Sequence, residues 1–391
     1  SILLRDPFHL SETILVVSMS AVPVLQRLDG RHTLEQISEE FKKEHGVDVS
    51  VENIRTLVEH LESARFLEGE SFETWRRGVK KAFLESPTRP SFLAGRSYEE
   101  DPAALRKQLE GLFTHPEGPG LPSPNGADGA PPLRGAVVPH IDFQRGGTTF
   151  AWTYRAVAEH PAADTYVVLG TIHAPTEGTY TLSRKAFETP LGAQEVDVGF
   201  VDALARRAPG DLFRDEFAQR CEHSIEFQAV FLRHLFGGKR EVKFVPLLVG
   251  SFGKMVMAGK SPAGSEEVEG FTAALRETIS EWEAAGRKVC LLASVDLAHV
   301  GPRFGDPDPV DEARLEAVRR EDTASLEAVC RGDAEAFYWS VARDGDQRKV
   351  CGLAPIYTLL RVLEGCKGEV LRYSQWPDPN GTVTFCSMAI R

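Results

Sequence analysis

The sequence has little of what would set it apart from an ordinary globular chain. Six cysteines (Cys221, Cys290, Cys330, Cys351, Cys366, Cys386) are scattered through 391 residues with no CxxC pair, which argues against a disulfide framework and a structural zinc knuckle and leaves reduced core thiols as the expectation. Long apolar runs are missing as well. The longest, such as Val245 to Val249 and Val289 to Val295, fall far below the roughly 18–20 residues of a membrane span, and the N-terminus lacks a basic-then-apolar signal pattern. The expectation is a cytoplasmic protein with no membrane role. Basic charge is also in short supply: 45 Lys and Arg face 57 Asp and Glu, for a formal net charge of −12, and such a surface repels polyanions, so nucleic acid is not expected as a partner. What is present, 42% hydrophobic and 26% charged residues, matches globular proteins. The length exceeds one ordinary core and implies two domains, or one large domain with an appendage.

The first 70 or so residues carry three helical patterns. One runs from Ser20 to Leu28 and stops at Asp29-Gly30. The second starts at Thr33, an N-cap, places Leu34, Ile37 and Phe41 on one face and ends near Gly46. The third starts at Ser50, continues through Ile54, Leu57, Val58 and Leu61, and gives way to an extended Phe66-Leu67-Glu68. The order suggests a winged helix. With Leu4-Arg5-Asp6-Pro7, Leu28-Asp29-Gly30 and Thr33-Leu34, this stretch resembles PqqD-like peptide-recognition domains. The resemblance implies a peptide partner, or docking on the chain's own remainder; a purely structural appendage and a DNA-binding domain are the alternatives. Residues 1–80 hold ten basic and fourteen acidic side chains, which disfavours phosphate gripping. The resulting division is a winged-helix domain over 1–75, a charged helical linker over 76–87 closing at Ser86-Pro87, and a larger domain over 88–391.

Within the larger domain, Pro116 to Pro132 is too rich in Pro and Gly for regular structure and reads as a mobile loop. Beyond it, β-branched runs (Ala136 to Val138, Tyr166 to Leu169, Phe244 to Val249, Val289 to Val295) alternate with helical stretches (Gly147 to His160, Ser224 to Phe236, Gly270 to Ala285). That alternation predicts an α/β fold with a mostly parallel central sheet flanked by helices. Val370 to Tyr373 and Val383 to Ile390, around the Pro379-Asn380-Gly381 turn, read as edge or neighbouring strands.

Ligands of open parallel sheets sit at the carboxyl ends of the strands. Three histidines hold such positions: His140 after Val137-Val138-Pro139, His173 after Val167 to Gly170, and His299 after Leu291 to Val295, with Asp296 between. One such histidine is ordinarily a cap or a solvated residue. Three in equivalent topological places suggest convergence on a metal, for which imidazole nitrogens are suited ligands. Spacing alone does not show that they meet.

The segments Arg89 to Tyr98 with Asp101-Pro102, Val138-Pro139-His140, Leu169-Gly-Thr-Ile-His173, Glu222-His-Ser-Ile-Glu226, Val245-Pro-Leu-Leu-Val-Gly250, Ser294-Val-Asp296 with His299, and Val350-Cys-Gly352 resemble, in the same order, the Memo family. That family includes the proteins called AmmeMemoRadiSam system protein B and is similar in fold to LigB-type extradiol dioxygenases. The resemblance implies His140, His173 and Cys351 as metal ligands, with Asp296 and His299 lining the pocket as catalytic residues and His299 moving protons. Iron(II) is the expected metal and copper the alternative. Cys351 has a plain alternative too, an inert buried thiol before a helix starting at Gly352. Glu222 and His223 are expected either to orient ligands or to cap the helix that follows. Two departures stand out: Ala174 follows His173 where many members carry a second histidine, and Asp142 follows His140 by two residues. Asp142 is expected to hold His140 or add negative charge, or else to be a turn residue before Arg145-Gly146-Gly147. The implied function is a metal-dependent, dioxygenase-like oxidoreductase acting on a small molecule or peptide; the competing class is a non-catalytic protein that captures a peptide or buffers metal in the same pocket.

Overall fold

The computed structural model describes residues 2–6, 9–11, 13–123, 126 and 131–391. Pro7 of the N-terminal motif, and the parts of the Pro116–Pro132 loop at 124–125 and 127–130, lie outside the described residues. The chain divides into two compact units, Ser1–Glu85 and Ser86–Arg391.

The first unit contains an antiparallel ribbon of β1 (Ile2–Leu4) and β2 (Leu15–Val17), followed by α1 (Val22–Leu25), α2 (Leu34–His45), α3 (Val51–Ser63) and α4 (Glu70–Glu85). Thr33 and Gln36 form a reciprocal capping box at the start of α2, and Gly46 ends it in the left-handed region at φ 67. Ser50 caps α3 by accepting from the Asn53 amide. Of the expected first helix only Val22–Leu25 is α-helical, after a 3-10 turn at Met19–Ala21. Phe66–Glu68 forms no strand; the chain turns there and enters α4. The core is small: Val24, Ile37, Phe41 and Ile54 meet at the centre of the helices.

The second unit opens with β3 (Thr88–Arg89) and α5 (Pro102–Thr114), then runs β4 (Gly135–Val138), α6 (Phe143–Glu159), β5 (Thr165–Thr171), β6 (Tyr180–Leu182), β7 (Ala186–Phe187), α7 (Val198–Arg207) and α8 (His223–Phe236). It continues with β8 (Lys243–Val249), α9 (Gly253–Met257), α10 (Glu266–Ala284), β9 (Val289–Ser294), β10 (His299–Val300), α11 (Glu312–Arg331), α12 (Ala334–Ala342) and α13 (Leu353–Val362), and closes with β11 (Gly368–Trp376) and β12 (Thr382–Ile390). Among the described residues the central sheet has eight strands in the order β10-β12-β4-β9-β5-β8-β6, with β11 on β12. Strands β4, β9, β5 and β8 are mutually parallel. They are apolar nearly throughout because helices cover both faces, so alternation gives way to continuous burial. Strand β12 is interior and antiparallel to β4, β10 and β11. No helix among the described residues is long and apolar enough to cross a membrane.

The order β4-β9-β5 positions the site. Three adjacent parallel strands end side by side, and the residues just beyond them are Pro139-His140, Val295-Asp296 and Ile172-His173.

Candidate metal centre at the carboxyl end of the sheet

Helix α8 begins above these strand ends and is pinned there by polar contacts. Ser224 Oγ donates to the Thr171 carbonyl at 2.9 Å, Gln228 Nε2 donates to the Pro139 carbonyl at 2.9 Å and to Ser294 Oγ at 2.7 Å, and Ser294 Oγ donates to the Ser224 carbonyl. Glu222 and His223, at the start of the helix, are thereby brought to His173. Each of His140, His173 and His223 offers a ring nitrogen within 4.8 Å of the others. Their rings stand 4.6–5.1 Å apart between centroids.

The hydrogen bonds fix which nitrogen is available. His140 is buried, and its Nδ1 donates to the Ser294 carbonyl at 3.0 Å, so the lone pair lies on Nε2. His173 donates its Nδ1–H to the Glu222 carboxylate at 3.0 and 3.1 Å, which again leaves Nε2 as the base. The same carboxylate lies 3.2 Å from His223 Nδ1. Glu222 also accepts the backbone amides of His173 and Ser224, both at 3.0 Å. Sequence reasoning left its role open between orienting and capping; the geometry gives it both. This is the carboxylate–histidine arrangement that raises imidazole basicity and fixes ring orientation around metals.

The electrostatics agree. Burial holds His140 well below the usual imidazole range, so it is neutral and competent as a donor. At His173 burial works in the same direction, but the Glu222 charge and hydrogen bond overcome it and raise the pKa. Burial opposes ionisation of Glu222, yet the two neighbouring imidazoles hold it far below the ordinary carboxylate value.

Cys351 adjoins this cluster: its Sγ is 3.4 Å from His140 Nε2 and 3.3 Å from the Asp296 carbonyl, to which it donates. Burial raises its pKa well above that of a free thiol, with the nearby Asp296 charge adding to the effect. The residue after it must be glycine on steric grounds, since a Cβ at Gly352 would stand 2.7 Å from the Asp296 carbonyl oxygen. The approach to Cys351 is backbone that doubles back on itself, with Asp346 at φ 55 and Lys349 at φ 52 in the left-handed region. That loop also holds His299. The His299 amide donates to the Arg348 carbonyl at 2.7 Å, and its Nδ1 donates to the carbonyls of Leu297 and Lys349 at 3.1 and 3.2 Å.

Asp296 accepts the amides of His140 and Ile141 through Oδ1, while Oδ2 lies 3.8 Å from His140 Nε2. Burial pushes its carboxyl up to about 7. His299 is pushed down to about 4 by burial, and the charge of His173 adds to the shift. Asp142 has a different place from the one that would hold His140: it caps α6 by accepting the Arg145 amide and pairs with the Arg145 guanidinium at 2.7 Å. His140 is held instead by Ser294 and Asp296.

His140, His173, Cys351, Asp296, His299, Glu222 and His223 are therefore neighbours at one end of the sheet. Sequence reasoning did not see that His223 meets the other two imidazoles as an equal. The signal was available in its position after Glu222 at a helix start, but nothing in the sequence brought that helix to β5.

Comparison with known proteins gives a consistent picture. The sequence model of a family described as Memo-like protein matches residues 89–384. A MEMO1 family protein of Aquifex aeolicus is 26% identical over 377 residues, 96% of this chain and 91% of its own length. The corresponding figures for a MEMO1 family protein of Thermus thermophilus are 29% over 346 residues, 88% and 94%. For one from Methanopyrus kandleri they are 31% over 294 residues, 74% and 92%. The last protein is almost fully spanned by a stretch about the size of the second unit.

Proposed function

The chain belongs to the Memo family, and on that premise we propose that its second unit is a non-haem metal-dependent oxidoreductase, related to AmmeMemoRadiSam system protein B and to LigB-type extradiol dioxygenases, that acts on a small molecule or a peptide. The observation that carries this reading is the meeting of His140, His173 and His223 within 4.8 Å beside the Cys351 thiol. The donor set fits a transition metal: imidazoles of which His140 and His173 present Nε2, a thiol in contact with His140, and buried carboxylates behind them. Imidazole suits iron, copper and zinc, and a thiolate shifts the preference toward iron(II) or copper. The metal, when bound, supplies Lewis acidity and one-electron redox chemistry.

The chain's own residues account for the rest. Glu222 orients His173 and His223. Asp296, pushed up to about 7, gains and loses a proton around neutral pH, and His299, pushed down to about 4, is neutral there. Two titratable groups pushed apart in this way form an acid and a base in one pocket, and the base is Nε2 of His299, because its Nδ1–H is committed to two carbonyls. The first unit is proposed to be a PqqD-like winged-helix module that binds a peptide.

The test is elemental analysis of protein purified without oxygen, followed by an absorption spectrum and by oxygen consumption after iron loading. The reading expects about one iron or copper per chain, a thiolate-to-metal charge-transfer band, and oxygen uptake. Bound metal without oxygen uptake favours the non-catalytic alternative. No retained metal after reconstitution overturns the metal centre.

A further inference from the structure

Helix α8 reaches the candidate metal centre with its first turn; Arg233 and His234, in its last turn, lie about 15 Å further along at 1.5 Å per residue. These two residues line a cleft of about 930 Å³ formed with α5, the Leu191 turn and the Gly237–Lys239 turn. Three features of the cleft go together. Among the described residues its charged lining is Arg106, Arg233 and Lys239 against one acid, Glu110, a local cationic excess on a chain whose net charge is −12. Two polar atoms, Arg233 Nε and His234 Nδ1, are buried with no hydrogen-bond partner among the described residues. Such groups cost about 1–3 kcal/mol when left unsatisfied and are retained where something else satisfies them. The walls include apolar side chains, among them Phe113, Leu191 and Leu235. The guanidinium is also given its room: Gly192, at φ 102, leaves space where a Cβ would stand 3.1 Å from Arg233 Nη2.

The Arg233 Nε edge lies beneath the cleft wall; turned into the cleft, it matches a planar oxyanion, to which it can donate two parallel hydrogen bonds. A volume near the top of the small-molecule range, with apolar walls and a few convergent polar groups, is the form of a ligand site. We propose that this cleft binds a small organic anion, an apolar body bearing a phosphate or carboxylate, with Arg233 as the anion clamp, His234 as a second polar contact, and Arg106 and Lys239 at the rim. It is separate from the metal centre.

The full-length protein, titrated at low ionic strength by calorimetry with phenyl phosphate and with benzoate, tests this. Saturable binding is expected, unchanged in His173→Ala and weakened at least about tenfold in Arg233→Gln, equivalent to about 1.4 kcal/mol. Lys239 is exposed, so Lys239→Gln folds as wild type whatever Arg233→Gln does; it is expected to weaken binding by about two- to threefold through the lost rim charge. Glu110→Gln is expected to tighten it. Binding of phenyl phosphate alone identifies a phosphate ester as the ligand class, and binding of both probes a general oxyanion site. No saturable binding of either probe, equal affinity in wild type and both Arg233→Gln and Lys239→Gln, or loss of binding in His173→Ala overturns the proposal.

Discussion

Two buried carboxylates stand one turn apart at the start of α8, and they are used differently. Glu226 meets a permanent cation: Arg89, itself fully buried, pairs with it, while the Phe92 and Leu93 amides and the Tyr98 hydroxyl fill its remaining lone pairs. Arg89 in turn donates to the carbonyls of Gln219 at 3.0 Å and Glu222 at 2.9 Å. Every group in that cluster is paired, and its effect is to tie residues 89–98 to the helix. Glu222 meets imidazoles, which can lose their proton and offer a lone pair elsewhere. A buried carboxylate facing a guanidinium is a fastening, whereas one facing histidines is a setting for chemistry.

Glu226→Ala leaves the Arg89 charge buried and unpaired and is expected to cost about 3–5 kcal/mol of stability, read by urea denaturation; a loss below about 1 kcal/mol would mean water replaces the carboxylate. His140→Ala and His173→Ala should abolish retained metal while leaving the fold intact, measured by elemental analysis after anaerobic reconstitution. His223→Ala and Cys351→Ala sharpen the same point, since whichever of the two loses metal is the third ligand. Cys290→Ala, in the middle of β9, should keep its metal and instead lose on the order of 1 kcal/mol through packing.

Glu222→Gln keeps the shape but not the charge. It is expected to weaken metal binding roughly 10–100-fold, where the same change at Glu226 should act on stability alone. Proton linkage gives a further test. His299 has a folded pKa depressed to about 4, so the folded state binds fewer protons than the unfolded one below the ordinary imidazole value. Its contribution is therefore full above that value and lost as pH falls toward 4. Metal-free protein should melt at progressively lower temperature over that window, and His299→Gln should flatten the slope; an unchanged slope would assign the acid sensitivity to His140. The smallest effect is expected of Asp142→Ala, about 1 kcal/mol for a lost helix cap, with metal content unchanged.

Much of this fold was legible in the sequence, and for a consistent reason. Thr33 and Ser50 start helices because capping is local, and Val167 to Leu169 reads as strand because β-branched and apolar runs are local too. His140, His173 and His299, with Asp296 between, were legible as a set because adjacent parallel strands end together. What escaped was what depends on the third dimension alone. His223 reaches the site because Ser224 and Gln228 pin α8 to strand ends far away in sequence, and Asp142 prefers its own helix amide and Arg145 to His140. Phe66–Glu68, extended by pattern, has no neighbouring strand to pair with.

The interior position of β12 bears on how the centre comes into being. The ladder beside His140 joins Val137 to Met388, across almost the whole of the second unit. Pairings of such long sequence separation form only after the entropy of closing the intervening loop has been overcome, so they belong to the late, slow part of folding. The strand that presents His140 therefore lacks one of its two lateral supports until the far end of the unit has arrived. A centre built this way is assembled by the finished topology, and an ion that meets a half-folded chain finds scattered imidazoles instead of a preformed cage.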